Sequence, residues 1–226
     1  VFTAAQLFEE LENERAWREA ELRFLQNQCT TLSVTDRANY SRALVLMAYA
    51  HVEGFTRFAL LGYVRCINAS ELKCADAVSA VAAASLSDVF SALRNPEKKS
   101  DFFPDVPDDT SLHRFARDCE FVERSVAVMS TQLSLPDSVV NTEDNLWPVV
   151  LRKNLFRLGL PHERFAHIEG RLSMLVNTRN EIGHGATRKP IKWELYEKLR
   201  NASLEVMREL QSLLFTASDL RWYQKH

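Results

Sequence analysis

The feature that most constrains this chain is a helical pattern, from Asp36 to about Ile67, that is apolar on nearly every side. Leu44, Met47, His51, Phe55 and Phe58 recur at steps of three and four, and Val45, Val52 and Leu61 occupy other faces. A helix with one apolar stripe lies on a surface, whereas one apolar all round is enclosed by other helices. This segment is therefore expected at the centre of a helical bundle. Only six Gly and seven Pro punctuate the 226 residues, and Ala, Leu, Glu and Arg fill long stretches, which favours helices over hairpin-rich β architecture. The fold class is read as all-α. No internal repeat, low-complexity tract or composition break divides the chain, so residues 1–226 are read as one helical domain.

The flanking patterns supply the other helices. Thr3 to about Cys29 places Leu7, Leu11, Leu22 and Leu25 on one stripe, with Thr3 as a cap. Ala75 to Leu93 is rich in Ala and Val and must stop at Asn95-Pro96. Pro96 to Asp109 has the composition of an exposed connection. Leu112 to Leu133 carries Phe115, Cys119, Val122, Val126 and Met129 at helical spacing, and Trp147-Pro148 opens a short apolar and basic segment. Pro161 suits the first turn of a helix bearing Phe165, Ile168, Leu172, Leu175 and Ile182. A last helix runs from Lys192 to about Leu220. The stretch 68–147 is the variable, loop-containing middle, where specificity or a partner surface can sit.

Charge is unevenly placed. Between Leu151 and Arg200 there are 11 Lys and Arg against 5 Asp and Glu, leaving 17 against 25 elsewhere, within a net charge of −2. A focal basic region in an acidic body favours one phosphate-bearing ligand at one place over general coating of a polyanion. Cys29, Cys66, Cys74 and Cys119 are scattered without a CxxC pair or a leader pattern ahead of them, so reduced thiols in a cytoplasm are expected. The apolar run Ala43–Tyr49 falls far short of the roughly 20 residues that cross a bilayer, so no membrane span is expected.

The chemistry concentrates in the hexapeptide RNEIGH, Arg179 to His184. Arg is a permanent cation that can hold the extra charge on a phosphorane, and His moves protons near neutral pH. Together they suit metal-independent RNA cleavage, in which the 2′-hydroxyl attacks the adjacent phosphate and leaves a 2′,3′-cyclic phosphate and a 5′-hydroxyl. No cofactor is needed. On an uninterrupted helix the two residues lie about 140° apart, so convergence requires either a helix broken near Gly183 or a second copy alongside. A two-fold interface apposes identical patches and would place two of each around one cleft. Asn180 can orient phosphate or the imidazole through its amide, and Arg171, Arg188 and Lys189 are expected to contact the RNA backbone. The same residues also have an ordinary reading: Arg and His in a last turn complement the helix dipole, and nearby Gly caps it.

RNEIGH resembles the RxxxxH signature of the HEPN superfamily of α-helical ribonucleases and toxins. Leu44 to Val64, especially Tyr49, Ala50, His51, Glu53, Gly54 and Phe55, is similar to the long early helix of bacterial HEPN nucleases of the RiboL-PSP type. The resemblance covers both core helices and none of the middle. It implies a dimerising HEPN-like bundle whose core helices form the interface and whose endoribonuclease site, without metal, sits at the dimer cleft. It also implies a role in phage defence or a toxin–antitoxin system, with an antitoxin or regulatory protein as a further partner. Arg179 and His184 would be catalytic, Asn180 supportive, and Glu53 would lie near them and orient Arg179. Some relatives carry a Tyr two places after the His that an antitoxin adenylylates; here Ala186 stands there. The competing reading is a non-catalytic bundle of this kind that binds nucleotide or a partner protein.

Other residues carry less. His51 on the apolar stripe reads as a satisfied core residue, and His162 and His167 are spaced wrongly for a helical metal pair. Neither a GxGxxG nor a GxxxxGK loop is present. Trp147, Phe156, Trp193 and Tyr196 lie in or near the basic half, where aromatic rings either stack on bases or fill the core.

Overall fold

The computed structural model describes residues 2–95, 97–99, 105 and 107–225. Among them are eight α-helices and no β-strand. They are α1 (Ala4–Asn27), α2 (Val34–Asn68), α3 (Ser79–Ser85), α4 (Ser87–Arg94), α5 (Thr110–Met129), α6 (Pro148–Arg157), α7 (Glu169–Gly183) and α8 (Trp193–Asp219).

The long apolar helix is central, as its pattern requires. α2 packs most extensively on α8, and α1 and α7 complete its enclosure. Leu44, Val45, Val52, Phe55, Leu60 and Tyr63 are all essentially inaccessible. By length and composition alone α2 could cross a bilayer; here its apolar faces are spent against the other helices. Truncating one of these leucines to alanine costs roughly 2–5 kcal/mol through lost burial and the cavity left behind. α1 starts where Thr3 caps it: the Thr3 hydroxyl accepts from the Gln6 amide, and the Gln6 side chain accepts from the Thr3 amide. α1 then approaches α2 closely enough that a methyl group on Gly62 would sit 2.6 Å from a Leu7 methyl.

Three expectations need correction. Ala75 to Leu93 is not one helix: after a 3-10 turn it breaks at Leu86 between α3 and α4. The Ser85 hydroxyl there donates to the Ser134 carbonyl and accepts from the Ser134 amide, so a side chain competes with helical continuity. The helix expected from Pro161 starts at Glu169, after turns and a short 3-10 segment. Finally, most of the apolar stripe of α5 faces away from the core, although Met129 at its end packs against it. Phe115, Val122 and Val126 are exposed, while His113, Ala116 and Arg117 are buried, because α5 leans on α4 with its opposite face. The expected connection Pro96 to Asp109 lies partly outside the described residues; those of it that are described are exposed.

Candidate functional site

α7 buries Leu172, Leu175 and Val176 against the bundle. Arg179 follows Leu175 by four residues and Val176 by three, so the same helical face directs it toward α2. Its guanidinium lies over the Tyr49 ring, with Cζ 5.0 Å from the centroid, a cation–π arrangement. Nη1 donates to Asn180 Oδ1 at 2.8 Å and to Asn145 Oδ1 at 3.3 Å. Both acceptors are neutral amides. Among the described residues no carboxylate comes within ion-pair distance of Arg179, so its charge is held in place without being neutralised.

The support beneath it is built from α2 and the loop before α6. The Tyr49 hydroxyl donates to Glu53 Oε1 at 2.9 Å, one turn along α2, and accepts from the buried Leu146 amide at 2.8 Å. Burial pushes the Tyr49 phenol well above its ordinary range, keeping the proton on the hydroxyl. Among the described residues Glu53 makes no ion pair with Arg179 and is linked to it through Tyr49. The loop is fixed from the other side by the buried Asn154 of α6, whose side chain accepts from the Asn141 amide and donates to the Asn141 carbonyl. Glu143 and Asp144 then turn at positive φ and present Asn145.

His184 stands apart. It is the C-cap of α7, fully outside the core, and Gly185 follows at φ 67°, a left-handed conformation that glycine adopts without strain. Gly185 donates to the Ile182 carbonyl, and α7 stays helical through Gly183. The helix is thus unbroken between Arg179 and His184, and within one chain the two side chains leave it in different directions. Among the described residues the imidazole has no hydrogen-bond or ion-pair partner.

The remaining expected site residues divide. Asn180 joins Arg179 directly. Arg188 and Lys189 are exposed on the segment after α7, which the Arg42 side chain ties to α2 by donating to the Lys189 carbonyl. Arg171 is differently placed: its guanidinium grips Glu205 of α8 with both terminal nitrogens, at 2.7 and 2.9 Å. Its charge is largely spent within the fold, against the expectation of an RNA contact. His167 meets Glu205 and Glu209 at 3.4 and 2.9 Å, and Arg164 lies 3.9 Å from Glu209. These three acceptor groups are close enough together to hold a cation, but two arginines already neutralise the carboxylates, so the cluster is an ion-pair network. The spacing of His162 and His167 gave no hint of it because its carboxylates come from α8.

His51 is a core residue as expected. It is 3% exposed, its Nε2 is 2.9 Å from Glu21, and Trp17 packs edge-on against the ring; burial lowers its pKa against the pull of Glu21. Of the four aromatic residues, Tyr196 is fully buried, Trp147 and Trp193 pack against the core, and Phe156 alone is exposed. Sequence reading assigned no role to Tyr49 or Asn145. The Tyr49–Glu53 spacing of one helical turn was a usable signal; Asn145 gave none, since a loop position near α7 has no periodicity.

Comparison with known families matches residues 7–218 to one described as MAE_28990-like HEPN. That span covers α2 through α7 and nearly all of α8, and the description does not mention the RiboL-PSP type. At family level it points to a nuclease or another RNA-related function. No curated protein and no solved structure matches the chain.

Proposed function

The chain belongs to the MAE_28990-like HEPN family, and from that premise we propose that it is a metal-independent endoribonuclease acting as a homodimer. The observation that carries this reading is the Arg179 guanidinium, braced by Tyr49, Asn145 and Asn180 yet free of any carboxylate among the described residues. A structural arginine half-buried in a bundle is normally paired with an acid. An arginine intended for a phosphate must keep its charge.

Because α7 is unbroken between the two residues, the imidazole that works with Arg179 comes from the second copy. With two α7 ends crossing at a two-fold axis, each Arg179 faces the partner's His184. RNA lies in the cleft between them. The partner's imidazole takes the 2′-hydroxyl proton as that oxygen attacks phosphorus, the guanidinium binds the charged phosphorane, and the imidazolium so formed gives a proton back to the 5′-oxygen as its bond to phosphorus breaks and it leaves as a hydroxyl. Asn180 and Asn145 keep the guanidinium in register, and Arg188 and Lys189 meet flanking phosphates. The likeness of Leu44–Val64 to RiboL-PSP nucleases, action in phage defence or with an antitoxin, and a cytoplasmic location belong to the same proposal.

The test uses purified full chain and labelled RNA. Cleavage should persist in EDTA and give 2′,3′-cyclic phosphate ends, and His184→Ala should reduce it by roughly 10²–10⁴-fold with unchanged thermal unfolding. The separation of Arg179 and His184 on one chain favours a second reading, a non-catalytic bundle that binds nucleotide or a protein. Equal rates for wild type and His184→Ala would leave only that one.

A further inference from the structure

Beside the Arg179 support, α3 and α4 face α6 across a groove enclosing about 530 Å³, within the usual size of a small-molecule site. Its make-up is specific. Ala80, Ala83 and Ala84 form one wall, and their small side chains leave a flat apolar surface. Phe156 projects from α6, 60% exposed, with His162 edge-on against it at 5.5 Å. Arg94, at the end of α4, and Arg157, next to Phe156, also line it. Both are exposed, and among the described residues neither guanidinium has a hydrogen-bond or ion-pair partner.

An aromatic face, a flat apolar wall and two unneutralised cations describe a complement to a planar base with a phosphate attached. A purely apolar occupant would leave both arginines unused. A peptide would leave the flat wall and the exposed ring without a matching plane.

The groove is also tied to the candidate site. Asn141 lines it, and four residues on, Asn145 accepts from Arg179. Four residues of chain span at most about 14 Å, a distance that a few nucleotides of extended strand can bridge. Asn154 clamps Asn141 from α6, so this spacing is fixed by the core and not by a free loop.

We propose that the groove between α3, α4 and α6 is a subsite for one nucleotide of a single-stranded RNA, its base on Phe156 and its phosphates on Arg94 and Arg157. The inference rests on the endoribonuclease reading for the neighbouring strand and names where that strand continues. The subsite selects for unpaired RNA, because a base inside a duplex cannot reach the Phe156 face.

The measurement is binding of a fluorescent single-stranded RNA with 2′-O-methyl riboses, which cannot be cut, to the full chain. Phe156→Ala should weaken it about tenfold, the value of one lost base–aromatic stack, and Phe156→Trp should restore it. Arg94→Ala with Arg157→Ala should weaken it further and flatten the salt dependence by about 0.7 in the log–log slope for each phosphate contact removed. Unchanged thermal unfolding of these exposed-site variants separates binding from folding.

If Phe156→Ala and the double arginine variant bind within twofold of wild type, the subsite does not exist, whether or not wild type cleaves RNA. If they weaken binding while wild type cleaves nothing, the endoribonuclease reading falls and the groove stands. Adenosine monophosphate competing at the same concentration as the oligonucleotide would make the occupant a free nucleotide and overturn the strand assignment.

Discussion

The two ends of α7 treat arginine in opposite ways. Near its start, Arg171 closes a two-pronged ion pair on Glu205 of α8, within a network that includes His167, Glu209 and Arg164. Near its end, Arg179 is gripped as firmly in geometry, by an aromatic face and two amide oxygens. The second set supplies position without opposite charge. The first arginine therefore fastens helices together, and the second keeps a cation available beside the helix exit. One helix thus carries a paired and an unpaired arginine, and the difference lies in the neighbours that α2, α8 and the 141–147 loop provide.

The largest effect should come from removing each arginine in turn. Arg179→Ala should lower RNA cleavage by about 10²–10³-fold, the usual result of deleting a donor to a developing anion, and Arg179→Lys should recover little because a point charge lacks the planar fork. Arg171→Ala should leave cleavage within about twofold and cost no more than about 1 kcal/mol of stability, since its pair is partly exposed. Cleavage rates and denaturant unfolding on both variants read the two quantities separately. Equal losses of activity would erase the distinction between the two ends.

A smaller effect belongs to the support. Tyr49→Phe keeps the ring beneath Arg179 but removes the acceptor of the buried Leu146 amide. It should cost about 1–3 kcal/mol, the range for an orphaned buried donor. Cleavage should fall about tenfold as the loop carrying Asn145 loosens and Arg179 loses its register. An unchanged rate with full loss of stability would show that Arg179 needs no help from the loop.

The smallest effect lies at the closed end and depends on pH. The Arg171 guanidinium bonded to Glu205 holds that carboxyl below its ordinary value of 4.5, outweighing the effect of burial. A carboxyl lowered on folding adds stability above its unfolded value and loses it as pH falls through the folded one. Glu205→Gln should therefore cost up to about 1 kcal/mol at neutral pH and progressively less as acid protonates the wild-type carboxyl. Urea unfolding at a series of pH values follows the difference.

How far the sequence reached depends on which force placed each residue. The central helix was legible because burial on most of its faces writes apolar residues along much of α2. The cap at Thr3 and a glycine cap after the RNEIGH turn were legible because they are local chemistry. α5 was misread for a physical reason: Phe115, Val122 and Val126 keep helical spacing, but spacing says only that a face is apolar and not that another element covers it. The split at Leu86 hinges on Ser85 meeting Ser134, a contact between distant positions that no local propensity reveals. Of the candidate site, Arg179 and Asn180 lie in one hexapeptide with His184 and were named together for that reason. Tyr49 and Asn145, which hold the arginine, come from two other parts of the chain and became visible only when the bundle brought them together.

The most direct test of the shared cleft is subunit complementation. Arg179→Ala and His184→Ala proteins, each inactive alone, are mixed, allowed to exchange subunits, and assayed on one RNA. If each site takes its guanidinium from one copy and its imidazole from the other, half of the randomly mixed dimers carry one intact site, and about a quarter of wild-type cleavage should return. Activity that stays at the level of the separate variants, after exchange has been verified, would mean that the two side chains do not meet across a dimer cleft.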